Sequence, residues 1–598
     1  MIGIWGQTSG GSRSKRSAAR LLLASILLFW GTLATGQSVR PPTREQVTRP
    51  VAPAPPPRGS RLEVEGGVER APCALAGPEF ANIRVTLTSA EFDGLQGLTP
   101  GDLSPAYAPY LGHEEPISIV CEIRDRAATI LRTAGYVAAV QVPQQSIAGG
   151  QIRFRVLMAH LVQVRVRGNA SGAEEIIAGY LRQLTKAPVF NRFDAERYLL
   201  LASDLPGYTV RLTLRPAGGA PGDVIGDVTV ERQAAYVDLN VEDLGSHELG
   251  PWGGALRAQF FGLTGLGDRT TLALFSSADF HEQQTVQVGH DFFLGPQGLS
   301  IGANFTYAWA RPHIPDTHVI ARTLLGTLQA GYPFIRTQSH TLRGSAGIDY
   351  IDQTVDLAGL PLTRDHLRVG FLRLSWDAQG TRYGSPGFSY AEPPWRLSGL
   401  VELRHGLDIF GASRFCGSDG SDCGIDHVPP SRLNGSPTET LLRFVGYGEL
   451  RPIPKLTFAL GARAQYAWNP LFSFEQFSAG NYTVGRGYAP GDLLGDSGWG
   501  TEAEIRFGSR IPPSAGSAGI EGYLFWDHAY VHDRHPLLVV AGANRLNSIG
   551  AGARLAFDRF DLDAGVAVPL TRIGPTNHKP KTKFLVSLTT RLWPWSYQ

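Results

Sequence analysis

The chain of 598 residues is short of charge, of methionine and of long apolar runs. Charged residues make up only 18% of it, against the roughly 25% usual for soluble domains. That excludes a charge-driven disordered chain and an Ala/Glu/Lys/Leu-rich helical one. Lys and Arg number 55 against 53 Asp and Glu, a formal net charge of +2. With no basic excess there is no footprint for a nucleic-acid partner. A mean hydropathy of −0.09 excludes a bundle of membrane helices. A membrane β-barrel is not excluded, because its strands hide their hydrophobicity in alternation. There is no Gly-Lys pair and so no phosphate-binding Walker loop, and no H-E-x-x-H. No motif implies a cofactor or a metal.

What is present begins with a targeting signal. Arg13, Lys15, Arg16 and Arg20 precede the apolar stretch Leu21–Leu33, and Ala34-Thr35-Gly36 follows. A basic region, an apolar core shorter than the ~20 residues needed to span a bilayer and a small-residue site make a secretory signal peptide. The mature chain is expected to start at Gln37, outside the cytoplasm. Cys73, Cys121, Cys416 and Cys423 then belong to an oxidising compartment. Of the three connectivities open to four cysteines, their two neighbourhoods favour Cys73–Cys121 and Cys416–Cys423. Zinc is the rival reading, but neither pair has C-x2-C spacing or histidines at ligand spacing.

Residues 37–60 are rich in proline and read as a tether rather than a folded unit. From about 71 to 232 short strands alternate with helices, and the pattern repeats. A helical stretch over 117–134 leads into Gly135-Tyr136, a strand VAAVQV, a turn at Gly149-Gly150 and a strand QIRFRVLM. A second over 193–205 leads into Gly207-Tyr208, TVRLTL, a turn near Gly218-Gly219 and DVIGDVTV. Each copy opens with an alternating strand, at 82–87 and at 162–168. Two successive β-α-α-β-β modules follow from this.

After about 234 the helical period is gone. Leu299, Ile301, Ala303, Phe305, Tyr307 and Trp309 share one face of a strand, with Ser300, Gly302, Asn304 and Thr306 opposite. Leu456, Phe458, Leu460, Ala462, Ala464, Tyr466 and Trp468 face away from Lys455, Thr457, Arg463 and Gln465. Such strands match the tilted, roughly 10-residue strands that cross a bilayer, with aromatics at the interface and a polar lumen behind. The last strand alternates Phe584, Val586, Leu588 and Leu592 before Trp593, Trp595 and Tyr597. At about 23 residues per strand and connection the region holds about 16 strands, a barrel with an aqueous channel.

The sharpest local signals lie late in the chain. Residues 483–507 are dense in glycine around Arg486 and run into a strand with Glu502, Glu504 and Arg506 on one face. In 522–531, Tyr523, Phe525, Asp527 and Ala529 share a face opposite Leu524, Trp526 and His528. A carboxylate is unexpected on a lipid face, so Asp527 should point inward. Gly495-Asp496-Ser497-Gly498 is similar to a serine-protease nucleophile segment, but no companion histidine motif exists for a triad, and no enzyme is expected.

With these residues the chain resembles the outer-membrane transporters of two-partner secretion, relatives of the barrel-assembly proteins. That family carries V-R-G-Y/F at the tip of a lumen loop, then G-D-x-G-W, then F-x-D on a later strand. Gly485-Arg486-Gly487-Tyr488, Gly495-Asp496-Ser497-Gly498-Trp499 and Phe525-Trp526-Asp527 fit these positions. GLTGLGDRTTLAL at 262–274 is a smaller echo. Gly485 departs from the usual Val, and Ala529 stands where a Gly often follows F-x-D. The resemblance implies an all-β transmembrane barrel of about 16 antiparallel strands preceded by two α+β POTRA modules. It implies a signal peptide over 1–36, a Pro-rich linker over 37–70, POTRA modules over 71–160 and 161–232, and a barrel over 234–598 with a lumen loop near 483–500. It implies that Arg486 pairs with Asp527, with Gly487, Tyr488 and Phe525 around them. The implied partners are a secreted exoprotein, through its N-terminal secretion domain, the lipid of the outer membrane, and the barrel-assembly machinery during biogenesis. Some members plug the barrel with an N-terminal helix. The prolines of 37–60 argue against one here.

Overall fold

The computed structural model describes residues 41–49, 61–64, 73–314, 317–380, 387–415, 428–514, 516–534, 544–574 and 579–594. The signal peptide over 1–36, the pair Cys416 and Cys423, and the terminal Trp595 and Tyr597 lie outside the described residues.

In the first module the helix Ile119–Thr133 buries Ile119, Ile123, Ala127 and Leu131. Their four-residue spacing puts them on one face. That face covers a sheet in the order Ser89–Asp93, Gln151–Met158, Ala138–Gln141. Ile152, Phe154, Val156 and Met158 alternate toward it, and Phe92 stacks on Phe154 with ring centroids 5.0 Å apart. Cys73 and Cys121 are joined in a disulfide that ties the start of the module to this helix. The opening strand differs from the sequence expectation. Arg84–Thr86, within the alternating 82–87 stretch, pairs with Glu114–Pro116 in a separate ladder. The sheet takes the next segment, Ser89–Asp93, because that register brings Phe92 onto Phe154.

The second module sets helices Glu174–Leu184 and Arg192–Ser203 against a sheet containing His160–Gly168, Tyr208–Pro216 and Asp223–Arg232. Tyr180, Leu199, Val210, Leu212 and Val228 are among its buried core. A fourth strand comes from the linker: Arg61–Val64 pairs in parallel with Tyr208–Pro216, Arg61 opposite Arg211. The reading of the linker as an unstructured tether is therefore corrected twice. Besides that strand, Arg44–Thr48 is a helix. Pro41 and Pro42 precede its cap, Thr43, so they bound the helix instead of interrupting it. Gln46 N–H donates to the Thr43 hydroxyl and Thr43 N–H to the Gln46 side chain, a capping box around a single turn.

Among the described residues sixteen antiparallel strands, Ala235–Asp243 through Lys583–Trp593, form a closed barrel. The first and last strands pair, Val241 opposite Leu588. Closure satisfies the backbone groups that an open edge would leave in lipid. On Leu456–Ala467, Phe458, Leu460 and Tyr466 are 43%, 53% and 47% exposed on the outer face, while Thr457, Ala459 and Gln465 are buried on the lumen side. Val319–Arg336, His340–Leu357 and Leu360–Gln379 have 18, 18 and 20 residues. At ~3.3 Å per residue they run well past a hydrocarbon layer ~30 Å thick.

The second module rests on two turns of the near rim. In the 262–268 turn the buried Asp268 carboxylate accepts Leu263 N–H at 3.1 Å, Thr264 N–H at 2.7 Å and the Thr264 hydroxyl at 2.6 Å. Gly267 N–H of the same turn donates to Gly172 O of the module at 3.0 Å, which gives the GLTGLGDR segment its structural purpose. On the other turn Arg336 grips Asp204 through two bonds of 2.8 and 2.7 Å, and Gln338 N–H reaches Glu196 at 2.5 Å.

Candidate functional site

The connection between Leu456–Ala467 and Ser497–Ser509 folds into the lumen, running over 468–496. It therefore starts and ends earlier than the 483–500 expected. A short ladder of Phe477–Ala479 with Leu493–Gly495 closes its base, and the Gly485-Arg486-Gly487-Tyr488 segment forms its tip.

The tip meets the wall at Arg486. Its backbone N–H donates to Asp527 Oδ2 at 2.8 Å, Nε to the same oxygen at 3.1 Å, and Nη2 to Oδ1 at 2.6 Å. Asp527 is fully buried because the alternation of Ala518–His532 turns Tyr523, Phe525, Asp527 and Ala529 inward. The Phe525 ring lies 3.7 Å under the guanidinium. Ser548 Oγ donates to Asp527 Oδ2 at 3.1 Å and accepts Gly487 N–H at 3.3 Å. The Tyr488 hydroxyl lies 2.8 and 2.9 Å from the carbonyl oxygens of Asn547 and Thr571 and accepts Thr571 N–H at 2.9 Å. All five lumen-loop residues singled out in the sequence thus meet at one place.

Gly485 explains its own departure from Val. Its φ is +115°, and a Cβ there would stand 2.6 Å from Leu546 Cδ1. At Gly487 a Cβ would come within 3.0 Å of Ser548 Cβ and 3.1 Å of Pro569 N, so a side chain there would have to push wall atoms aside by a few tenths of an ångström.

A second acidic partner of Arg486 was present in the sequence but not assigned. Arg486 Nη1 donates to Glu504 Oε1 at 2.5 Å. Glu504 also takes Arg506 at 2.6 Å and Arg554 at 3.0 and 3.1 Å, and Arg554 goes on to Asp563 at 2.9 Å. The alternation of Glu502, Glu504 and Arg506 located the lumen face without saying which carboxylate faces the tip.

The helix Arg44–Thr48 occupies the lumen beside this loop. Arg44 bridges Asp349 of the wall at 2.8 Å and Glu475 of the lumen loop at 3.0 Å. The fully buried Arg404 joins the same two carboxylates, and Arg443 reaches Glu475 at 2.9 Å. Arg49 donates to Glu242 at 2.7 Å and lies 3.4 Å over the Phe275 ring and 4.7 Å over that of Tyr482. Gln283 and Gln353 donate to the carbonyl oxygens of Gln46 and Pro42. The expectation against a lumen helix is thus corrected: wall arginines, glutamines and carboxylates supply the stability that five residues lack alone. Ser497, the serine of the protease-like segment, accepts Ala467 N–H at 3.0 Å as part of the wall.

Residues 395–555 match the family model of the haemolysin secretion/activation proteins ShlB/FhaC/HecB, and residues 85–158 match the ShlB-type POTRA domain. The matched stretches are those of outer-membrane transporters of the two-partner secretion type. The first module is thus a POTRA module, and such modules are periplasmic in this family, so the 262–268 and 337–339 turns face the periplasm and the opposite rim faces the cell surface. The fold is similar to that of CdiB from Escherichia coli, with a TM-score of 0.66 at 15% identity, covering 98% of this chain and 100% of that one. CdiB from Acinetobacter baumannii gives 0.58 at 17% identity, covering 97% and 98%. BamA from Haemophilus ducreyi lacking POTRA domains 1–3 gives 0.50 at 13%, covering 85% of this chain and 100% of that one. No protein of curated function matches the chain in sequence.

Proposed function

We propose that the transporter rests in a closed state held by the Arg486–Asp527 contact, and that an exoprotein captured on the POTRA modules crosses once the lumen loop and the Arg44–Thr48 helix yield. The observation that carries this reading is the crossing of the lumen by two separate segments, each fixed to the wall through arginine and carboxylate groups. A permanently open pore has no use for either.

Capture takes an extended chain onto a module edge, where unpaired backbone groups await a strand. The exoprotein's N-terminal secretion domain supplies that strand. The Tyr208–Pro216 edge is already paired with Arg61–Val64, so an incoming strand either displaces those residues or adds at another edge, such as His160–Gly168. With no nucleotide-binding motif in the chain, folding of the exported chain outside supplies direction. Insertion of the barrel itself draws on the barrel-assembly machinery and outer-membrane lipid.

The test is export of the exoprotein's N-terminal fragment into the medium by cells carrying the full transporter, the transporter lacking 161–232, or Asp527→Ala. Loss of export in both variants, with heat-modifiable barrels retained, is the expected result. Undiminished export by both overturns the reading.

A further inference from the structure

We propose that Asp496 is a positioning residue that fastens the lumen loop to two cell-surface connections, so that the loop and the outer mouth move as one. The proposal rests on the reading above, in which export requires the lumen loop to move.

Asp496 stands where the lumen loop returns to the wall, between Leu493–Gly495 and Ser497–Ser509 with Ser497 next in sequence. It is fully buried. Its carboxylate gathers donors from segments distant in sequence. Leu471 N–H, at the start of the lumen loop and 25 residues earlier, donates to Oδ1 at 2.9 Å. Arg534 N–H, in the surface connection after Ala518–His532 and 38 residues later, donates to Oδ2 at 2.8 Å. Arg432, on the long surface connection over 407–439 and 64 residues earlier, spans both oxygens, with Nη1 toward Oδ1 and Nη2 3.3 Å from Oδ2.

The neighbours repeat the connection. Arg432 Nη1 also donates to Leu471 O at 2.9 Å, and the adjacent Ser431 hydroxyl accepts Ser473 N–H at 3.1 Å. Ser431 is itself held to Asp365 of Leu360–Gln379 by bonds of 2.7 and 2.5 Å. Arg534 Nε donates to Ala467 O at 3.0 Å.

A carboxylate offers about four lone-pair sites and no donor. Here both oxygens are engaged by groups that would repel or miss one another without the anion between them. Were Asp496 only a wall residue, its bonds would run to adjacent strands. Its side chain instead binds both surface connections and the entry of the loop. The loop's two ends and the outer mouth therefore share one fixed point, separate from the Arg486 tip.

The experiment uses the full-length transporter with Cys416 and Cys423 replaced by serine and Ser478→Cys as reporter, since Ser478 is buried in the loop's base ladder. An impermeant maleimide is applied to intact cells. Asp496→Ala is expected to speed labelling at position 478 by about tenfold or more. Arg432→Ala is expected to do the same, and the double variant no more than either alone, as befits one shared joint. Arg432→Ala lies on a surface connection and carries the test should Asp496→Ala fail to give a heat-modifiable barrel. If Asp527→Ala speeds labelling while both joint variants label at the parental rate, the proposal falls and the reading of transport stands. If none of the three speeds labelling, the mobile loop on which both depend is refuted.

Discussion

Arg486 closes on Asp527 with its backbone N–H as well as its guanidinium, at 2.8, 3.1 and 2.6 Å. The carboxylate therefore fixes the path of the loop's main chain, not only the position of one side chain. That decides what substitutions can restore. Asp527→Ala leaves the Arg486 N–H without its acceptor and the guanidinium with Glu504 alone, so the loop's main chain loses its hold on the wall. Arg486→Ala leaves the N–H in place but strands the carboxylate. Both should abolish most export while the barrel still inserts, read by heat-modifiable mobility and export in the same cells. Arg486→Lys should recover part, since an ammonium does not reproduce the two-pronged contact. Exchanging the two charges should rescue poorly, because Arg486→Asp would face Glu504, now 2.5 Å from Arg486, and Asp527→Arg has no acceptor for the loop N–H. Full export by the exchanged pair would contradict this geometry.

The lumen helix makes a prediction about conductance. Arg44 is the contact between the helix, Asp349 and Glu475, and those carboxylates keep Arg404 when it is removed. Arg44→Ala should therefore leave a stable barrel but raise the fraction of open events in planar bilayers several-fold. Arg404→Ala should behave differently. It removes a fully buried cation from Asp349, Glu402 and Glu475 together, at roughly 3–5 kcal/mol, and should lower the temperature of the heat-modifiable shift. Identical behaviour of the two variants would count against the division of labour.

The sequence and the structure part company for physical reasons. The barrel was legible because a period of two, with aromatics toward one end of the outer face, runs through strands such as Leu299–Ala310 and Leu456–Ala467. The Arg486 tip was legible because glycines flank a lone arginine and a carboxylate interrupts an apolar strand face at Asp527. Arg44–Thr48 was not, because one helical turn between prolines carries no periodicity and draws its stability from Asp349, Glu242 and Glu475, far away in the chain. Arg61–Val64 was hidden likewise, its pairing partner lying in the second module. Glu504 could be put on the lumen face but not beside Arg486, since alternation gives a face and no depth.

The docking of the second POTRA module predicts a mechanical effect. The Asp204–Arg336 contact is two-pronged and mostly shielded, with side-chain exposures of 15% and 13%. Charge-assisted bonds of this kind contribute about 1.5–3 kcal/mol. Asp204→Ala should widen the distribution of distances between spin labels on the module and the barrel, with the barrel unchanged. The 262–268 turn should keep the module attached, through Gly267 and Gly172. An unchanged distribution would show that this second turn suffices alone.

The disulfide predicts a local loss. Cys73 and Cys121 are separated by 48 residues, and in the chain-entropy account closing a loop of that size stabilises by about 4 kcal/mol. Cys121→Ser should make the first module sensitive to protease while the barrel keeps its heat-modifiable mobility. The second module has its own core, centred on Tyr180, Leu199 and Val210, and should resist cleavage as before. Equal sensitivity of both modules would argue that they fold as one unit.

Gly485 supplies the most discriminating test of the loop tip, because the related transporters have Val there and restoring it looks conservative. The geometry says otherwise. A φ of +115° is one that β-branched residues avoid, and a Cβ would sit 2.6 Å from Leu546 Cδ1, inside any van der Waals contact. Leu546 is fully buried and has little room to retreat. Gly485→Val should therefore lift the tip from the wall, so that Arg486 loses Asp527 and export falls as it does in Asp527→Ala. The two penalties can be separated. Leu546→Ala removes the atoms that the new side chain meets but leaves the backbone strain, which is of order 1–3 kcal/mol. Gly485→Val with Leu546→Ala should consequently export more than Gly485→Val alone and less than Leu546→Ala alone. Wild-type export by Gly485→Val itself would mean that the tip takes another path along the wall.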